Sequence, residues 1–226
     1  MDKINFMKTT VIIPAFNAER YIKETIDSAL GQTVPCRVIV VNDGSTDQTL
    51  DIANRYVGKI TILSQTNQGT AAALNAGLRV TDTPYFVFLC ADDLLLPDYL
   101  ATAEKILDEK PEIDIVVPDI QVFGNENFYW GAEGFSDAIY DHNTIFTHSL
   151  VRKSLADKLN GFEEKMPYPG WEDWDFWIRA YQKGAVAHLL KKVYVHYRSH
   201  DKNTSKIVVT PHLAEMRQWM RDHRHI

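Results

Sequence analysis

One alternation dominates the first half of the chain. Four times, a short run of β-branched and aromatic residues is followed by a polar loop and then by apolar residues at helical spacing. The runs are Thr9 to Ile13, Val38 to Val41, Ile60 to Leu63 and Tyr85 to Leu89. The helix-period segments are Glu19 to Leu30, Thr46 to Tyr56, Gly69 to Val80 and Pro97 to Leu107. Parallel neighbours in a sheet need a crossover, usually a helix, so this repetition predicts an α/β fold with a mostly parallel central sheet flanked by helices. A fifth strand is expected over Ile113 to Val117.

Beyond Pro118 the alternation stops. Asp119 to Asp141, rich in Gly, Asn and aromatic residues without a period, reads as an irregular excursion. Helices are expected over Arg152 to Lys158 and Glu172 to Lys183, and separate strands over Val186 to Leu189 and Val193 to Tyr197. Pro211 reads as the opening of a last helix, because a first helical position needs no N–H. The layout is one domain over 1–226, with a nucleotide-type half to Pro118, an acceptor half over 119–210 and a C-terminal helix over 211–226.

With Lys+Arg 24 against Asp+Glu 30, the 226 residues carry a net charge of −6 and no basic run. A nucleic-acid footprint and a polybasic membrane patch are therefore not expected. Hydrophobic residues make up 45%, enough for a large core. Cys36 and Cys90 lie in apolar, strand-like contexts and read as reduced. Met1 to Lys8 has no secretory pattern and no 18-residue apolar run occurs, so a cytoplasmic protein is expected, with contact at the inner membrane face left open.

Ligands of open parallel sheets bind outside the carboxyl ends of the strands. The segments there are Pro14-Ala15-Phe16-Asn17, Asn42 to Asp47, Asn67-Gln68-Gly69 and Ala91-Asp92-Asp93. None is a glycine-rich phosphate cradle, which sets aside dinucleotide and P-loop chemistry. Adjacent carboxylates at a strand end are hard oxygen ligands suited to Mg²⁺ or Mn²⁺. The plainer alternative is that one caps the helix starting near Pro97 or Asp98 while the other is solvated.

These segments, taken together, resemble the family 2 glycosyltransferases of the GT-A nucleotide-sugar fold, from about Thr9 to Ser205. The resemblance rests on Val11 to Asn17, on Val40 to Asp47, on Asn67-Gln68-Gly69 with Ala73 to Gly77, on Leu89 to Asp93, and on Trp171-Glu172-Asp173. It implies a donor-nucleotide loop at Pro14, Ala15, Phe16 and Asn17, with the nucleobase at Asp43. Gly69 and Asn75 would lie near the diphosphate, and Ala91 and Asp92 in the metal motif, with Asp92 the direct ligand of Mn²⁺ or Mg²⁺. Tyr197-Arg198-Ser199-His200 is similar to a segment whose Arg and His meet the metal-diphosphate group, so Arg198 joins the donor residues and His200 the metal ligands. Asp173 would be the base and Glu172 a positioning carboxylate, with the two roles exchangeable.

One position departs from the family pattern: Cys90 replaces the first motif Asp. A soft sulfur suits a hard ion poorly, so Cys90 reads as a strand-end core residue. Trp174 and Trp177 read as packing, whereas Trp171 and Trp130 are candidates to line the acceptor site. The expected reaction is inverting transfer of a sugar from a nucleoside diphosphate, with uridine the expected base, to a hydroxyl of a glycan, lipid-linked sugar or surface polymer. The competing readings are an impaired nucleotide-sugar-binding homologue and a sugar nucleotidyltransferase. The latter wants a basic, glycine-rich loop after the first strand, which Pro14 to Asn17 does not offer. Oligomeric state is not legible.

Overall fold

The computed structural model describes residues 7–224. The absence of a signal pattern read over Met1 to Phe6 falls outside them. The half up to Pro118 takes the alternating strands and helices its periodicity predicts. Strands β1 (Thr9–Ala15), β2 (Arg37–Asp43), β3 (Thr61–Gln65) and β4 (Tyr85–Phe88) alternate with helices α1 (Ile22–Leu30), α2 (Thr49–Asn54) and α3 (Thr70–Arg79). β3, β2, β1 and β4 lie side by side, all parallel, so their carboxyl ends open on one rim. Val11, Ile12, Ile13, Ile39, Val40 and Val87 are fully buried between the layers. At about 1.5 to 3 kcal/mol for each such side chain, this burial is the main term holding the sheet.

Past β4 the sheet becomes mixed. β5 (Leu94–Leu95), α4 (Tyr99–Glu109), β6 (Ile115–Gly124), β7 (Phe128–Trp130), β8 (Leu150–Arg152), α5 (Lys153–Lys158), α6 (Glu172–Gln182), β9 (Ala187–Ser199) and α7 (Leu213–Arg224) follow in order. β8 joins β4 antiparallel, β6 joins β8 antiparallel, and β9 joins β6 in parallel, giving the order β3-β2-β1-β4-β8-β6-β9-β5.

Four expectations need correction. The fifth strand does not end at Pro118: β6 runs through it, because the register shifts between Val117 and Asp119 and a bulge is where a residue without an N–H does least harm. The expected excursion after Pro118 is consequently strand as far as Gly124, and Phe128–Trp130 returns along it as β7. The two late strands are one, bent at Lys191, whose φ is +52°. Pro211 does not open α7; it sits in the turn after a π-helical segment, Ser205–Val209. Trp174 and Trp177 are buried as their spacing predicts, with the Trp174 indole N–H donating to the Ile139 carbonyl at 2.6 Å.

Candidate active site

The loops after β1 and β2 are laced together. The Asn17 side-chain oxygen accepts from the Thr46 N–H at 2.8 Å, and the Asn17 N–H donates to the Ser45 hydroxyl at 3.1 Å. Asn17 has a φ of +50°, a conformation Asn tolerates better than most residues, while Phe16 beside it is exposed. Gly44, at φ +74°, lets Asn67 approach to where a Cβ would stand 2.6 Å from its backbone nitrogen, so only glycine fits.

Asp43 is buried, and its carboxylate is spent on the protein. It accepts from Gln65 Nε2 at 2.8 Å and from the N–H groups of Gln68 and Gly69 at 2.9 Å each. It fixes the loop between β3 and α3 against β2. Asn75, expected near the diphosphate, has its side chain engaged by the protein. Its amide donates to the Phe162 carbonyl at 2.9 Å and to Glu164 at 2.7 Å, and accepts from the Phe162 N–H at 2.8 Å. With donors and acceptor so used, Asn75 is a bracket between α3 and the 160–164 turn.

The turn after β4 carries the motif carboxylates. Leu94 of β5 pairs with His196 of β9, which lays the end of β9 over Asp92 and Asp93. Asp92 Oδ2 meets His200 Nε2 at 2.8 Å, with Asn203 Nδ2 at 3.4 Å. Asp93 is fully buried; its Oδ1 accepts from the Arg198 N–H at 2.7 Å and its Oδ2 lies 2.8 Å from His148 Nε2. Neither carboxylate caps α4. The Arg198 guanidinium stacks over Tyr21 and Phe123, donates to the Asp92 carbonyl at 2.8 Å and pairs with Glu24 at 2.6 Å. His200 stacks on the same Tyr21 ring, 4.9 Å between centroids.

Asp92 is pushed above the usual carboxylate range, first by burial and then by Asp93. A divalent cation would relieve that penalty, and a carboxylate oxygen with an imidazole nitrogen is an apt donor pair, so Asp92 and His200 fit a metal ion. A second grouping stands beside it: ligand-type atoms of Cys90, Asp93 and His148 all lie within 4.8 Å of one another. Cys90 is a free thiol, partly buried, and it is raised well above its usual value by burial and then by Asp93, Asp92 and Asp173. That single thiol thus feels the motif carboxylates and the expected base together.

Asp173 stands in the first turn of α6. Its Oδ2 accepts from Thr147 Oγ1 at 2.5 Å and from Asn143 Nδ2 at 3.0 Å, and its Oδ1 from the Trp174 N–H at 2.8 Å. Burial raises it despite these bonds. Glu172 is buried, accepts from the Gly170 N–H at 2.7 Å and is pushed up to about 7 by burial. Trp171 lies edge-on to Trp174 at 4.5 Å. Trp130 is exposed on β7 with its ring edge against Phe146 at 5.2 Å, one residue from Thr147.

Asn143, Thr147 and His148 escaped the sequence reading. The stretch leading to β8, Asp141 to Ser149, is polar but for Ile145 and Phe146, so nothing in the sequence set these three apart.

The family model described as glycosyl transferase family 2 matches residues 10–167. The chain belongs to glycosyl transferase family 2. An uncharacterised glycosyltransferase of Rickettsia typhi is 30% identical over 210 residues, covering 87% of this chain and 65% of the relative. The glycosyltransferase GlyA of Streptococcus pneumoniae is 35% identical over 147 residues, 62% of this chain and 21% of that protein. The chain thus spans less than two thirds of the length of these family 2 relatives. Among solved structures, S. aureus TarS 1-349 superposes with a TM-score of 0.74 at 27% identity, covering 85% of this chain and 60% of that one. The fold is the GT-A fold expected from the family motifs. Among the described residues, no helix is long and apolar enough to cross a membrane.

Proposed function

We propose that this family 2 member transfers a sugar from a uridine diphosphate donor to an acceptor hydroxyl, with inversion, and that the acceptor belongs to a glycan, a lipid-linked sugar or a surface polymer. The observation that carries the reading is the meeting, around Cys90, of the Asp92 and His200 pair with a partly buried Asp173 whose proton affinity is raised. S. aureus TarS 1-349, 25–26% identical to this chain, has been solved in complex with UDP and with UDP-GlcNAc, which supports a uridine donor here.

Asp173 takes the proton of the attacking hydroxyl; three donors fix its orientation, and burial makes it a stronger base than an exposed aspartate. The rim loops held by Asn17 and Asp43 receive the nucleoside, and Phe16 offers an exposed ring beside it. Arg198, flat against Tyr21, keeps a positive charge near the leaving diphosphate. Asp92 and His200 would hold Mn²⁺ or Mg²⁺, which when bound supplies Lewis-acid stabilisation to that leaving group. Trp130 and Trp171 offer ring faces on which the acceptor lies. The site faces the inner side of the membrane if the acceptor is lipid-linked.

Heat unfolding with UDP, with and without Mn²⁺, tests the donor site, since a ligand of the native state stabilises it by RT ln(1 + [L]/Kd). A UDP shift that needs Mn²⁺ and vanishes in Asp92→Ala is expected. No shift with any nucleoside diphosphate would sink the reading.

A further inference from the structure

Thr147 and His148 are consecutive residues, yet they touch the two ends of the site. The Thr147 hydroxyl bonds the Asp173 carboxylate, and His148 Nε2 lies 2.8 Å from Asp93 Oδ2. Asp93 in turn receives the Arg198 N–H and belongs to the turn that presents Asp92; the Asp93 N–H donates to the Cys90 carbonyl at 3.1 Å. His148 is 2% exposed and Asp93 0%. The 2.8 Å approach lies off the hydrogen-bonding line, and neither ring nitrogen of His148 has an aligned partner. A buried imidazole so placed is costly and persists only where something holds it. Its backbone is what is held: the Tyr99 hydroxyl donates to the His148 carbonyl at 2.6 Å, and β8 begins two residues later. Asp93 thus stands between the His148 ring on one oxygen and the Arg198 N–H on the other, tied to the Cys90 carbonyl through its own N–H.

We infer that His148 is a positioning residue: through its contact with Asp93, and with Thr147 beside it on Asp173, one peptide unit sets the metal-motif turn and the base at a fixed separation. The inference rests on the proposed role of Asp173. Misplacement of a catalytic group by about 1 Å costs on the order of 100-fold in rate. His148→Leu keeps the volume and removes the polar contact with Asp93; His148→Gln keeps a donor near the Nε2 position.

The experiment measures kcat, donor KM and UDP binding for both variants. His148→Leu is expected to lower kcat on the order of 10- to 100-fold with donor KM and UDP binding within about 3-fold, and His148→Gln to recover most of that loss. Equal kcat in the two variants, or a wild-type kcat in His148→Leu, would overturn the positioning role. So would a thiolate-to-metal absorption band in the Co²⁺-loaded protein that is lost in both Cys90→Ser and His148→Leu, which would make His148 a ligand. Activity retained in Asp173→Asn would instead mark failure of the base assignment beneath it.

Discussion

Asp92 Oδ2 stands 2.8 Å from His200 Nε2 although 108 residues separate them. The approach is built by the sheet: Leu94 pairs with His196, and the Asp93 carboxylate anchors the Arg198 N–H two residues on. Tyr21, under both His200 and Arg198, closes the arrangement from α1's side.

Loss of either partner is expected to weaken divalent-metal binding. His200→Ala should raise the Mn²⁺ concentration needed for half-maximal activity by about 10- to 100-fold, the cost typical of disturbing a metal's protein surroundings. A chelator should abolish activity and Mn²⁺ restore it. Activity indifferent to chelation would remove the metal from the reaction.

Asp173→Asn leaves the Thr147 and Asn143 donors facing a side chain that cannot take a proton. Transfer is expected to fall by about 100- to 10,000-fold, the usual contribution of a positioned base, with UDP binding within a few-fold. Single-turnover rates with saturating donor separate this loss of chemistry from a loss of binding.

Glu172 links stability to pH. Its folded-state value of about 7 lies above the ordinary 4.5, so the native chain holds a proton the unfolded chain has lost. Between those values stability therefore falls as pH rises, by about 3 kcal/mol if Glu172 acted alone. Carboxylates held low, such as Asp27 and Asp47, push the other way at lower pH. The clean reading is a comparison: Glu172→Gln should gain on the native chain in urea unfolding at pH 8 relative to pH 5.

Asp43→Asn sets an amide against one of three donors. A cost of about 1 to 3 kcal/mol is expected, or a melting point lower by several degrees, because a buried N–H loses its acceptor. UDP affinity should fall with it, as the loop from Asn67 to Gly69 loosens. An unchanged melting point would mean that the loop is held elsewhere.

The β-loop-α half was legible because each element carries its own period: Val11, Ile13, Ile39 and Val41 announce buried strands wherever they pair. Asp92 and Asp93 stood out for a local reason, standing where the run Tyr85 to Leu89 must end, whereas Glu172 and Asp173, at a helix start, were singled out by the family resemblance. The second half was not. β8 is three residues long and earns its place only by pairing Tyr85 with Arg152 across the chain, a long-range match that leaves no local pattern. Pro118 reads as a stop unless the bulge that accommodates it is known. Asn75 and His148 were opaque for another reason. The identity of a polar side chain does not disclose whether it faces ligand or protein.

The continuity of β6 through Pro118 bears on how such enzymes can be recombined. The same strand pairs with β8, β7 and β9, so a graft joined at residue 118 would split a ladder and leave both fragments with raw edges. Exchanging acceptor specificity between relatives calls for a junction in the turn over 125–127, or for moving β6 together with its three partners as one inherited block.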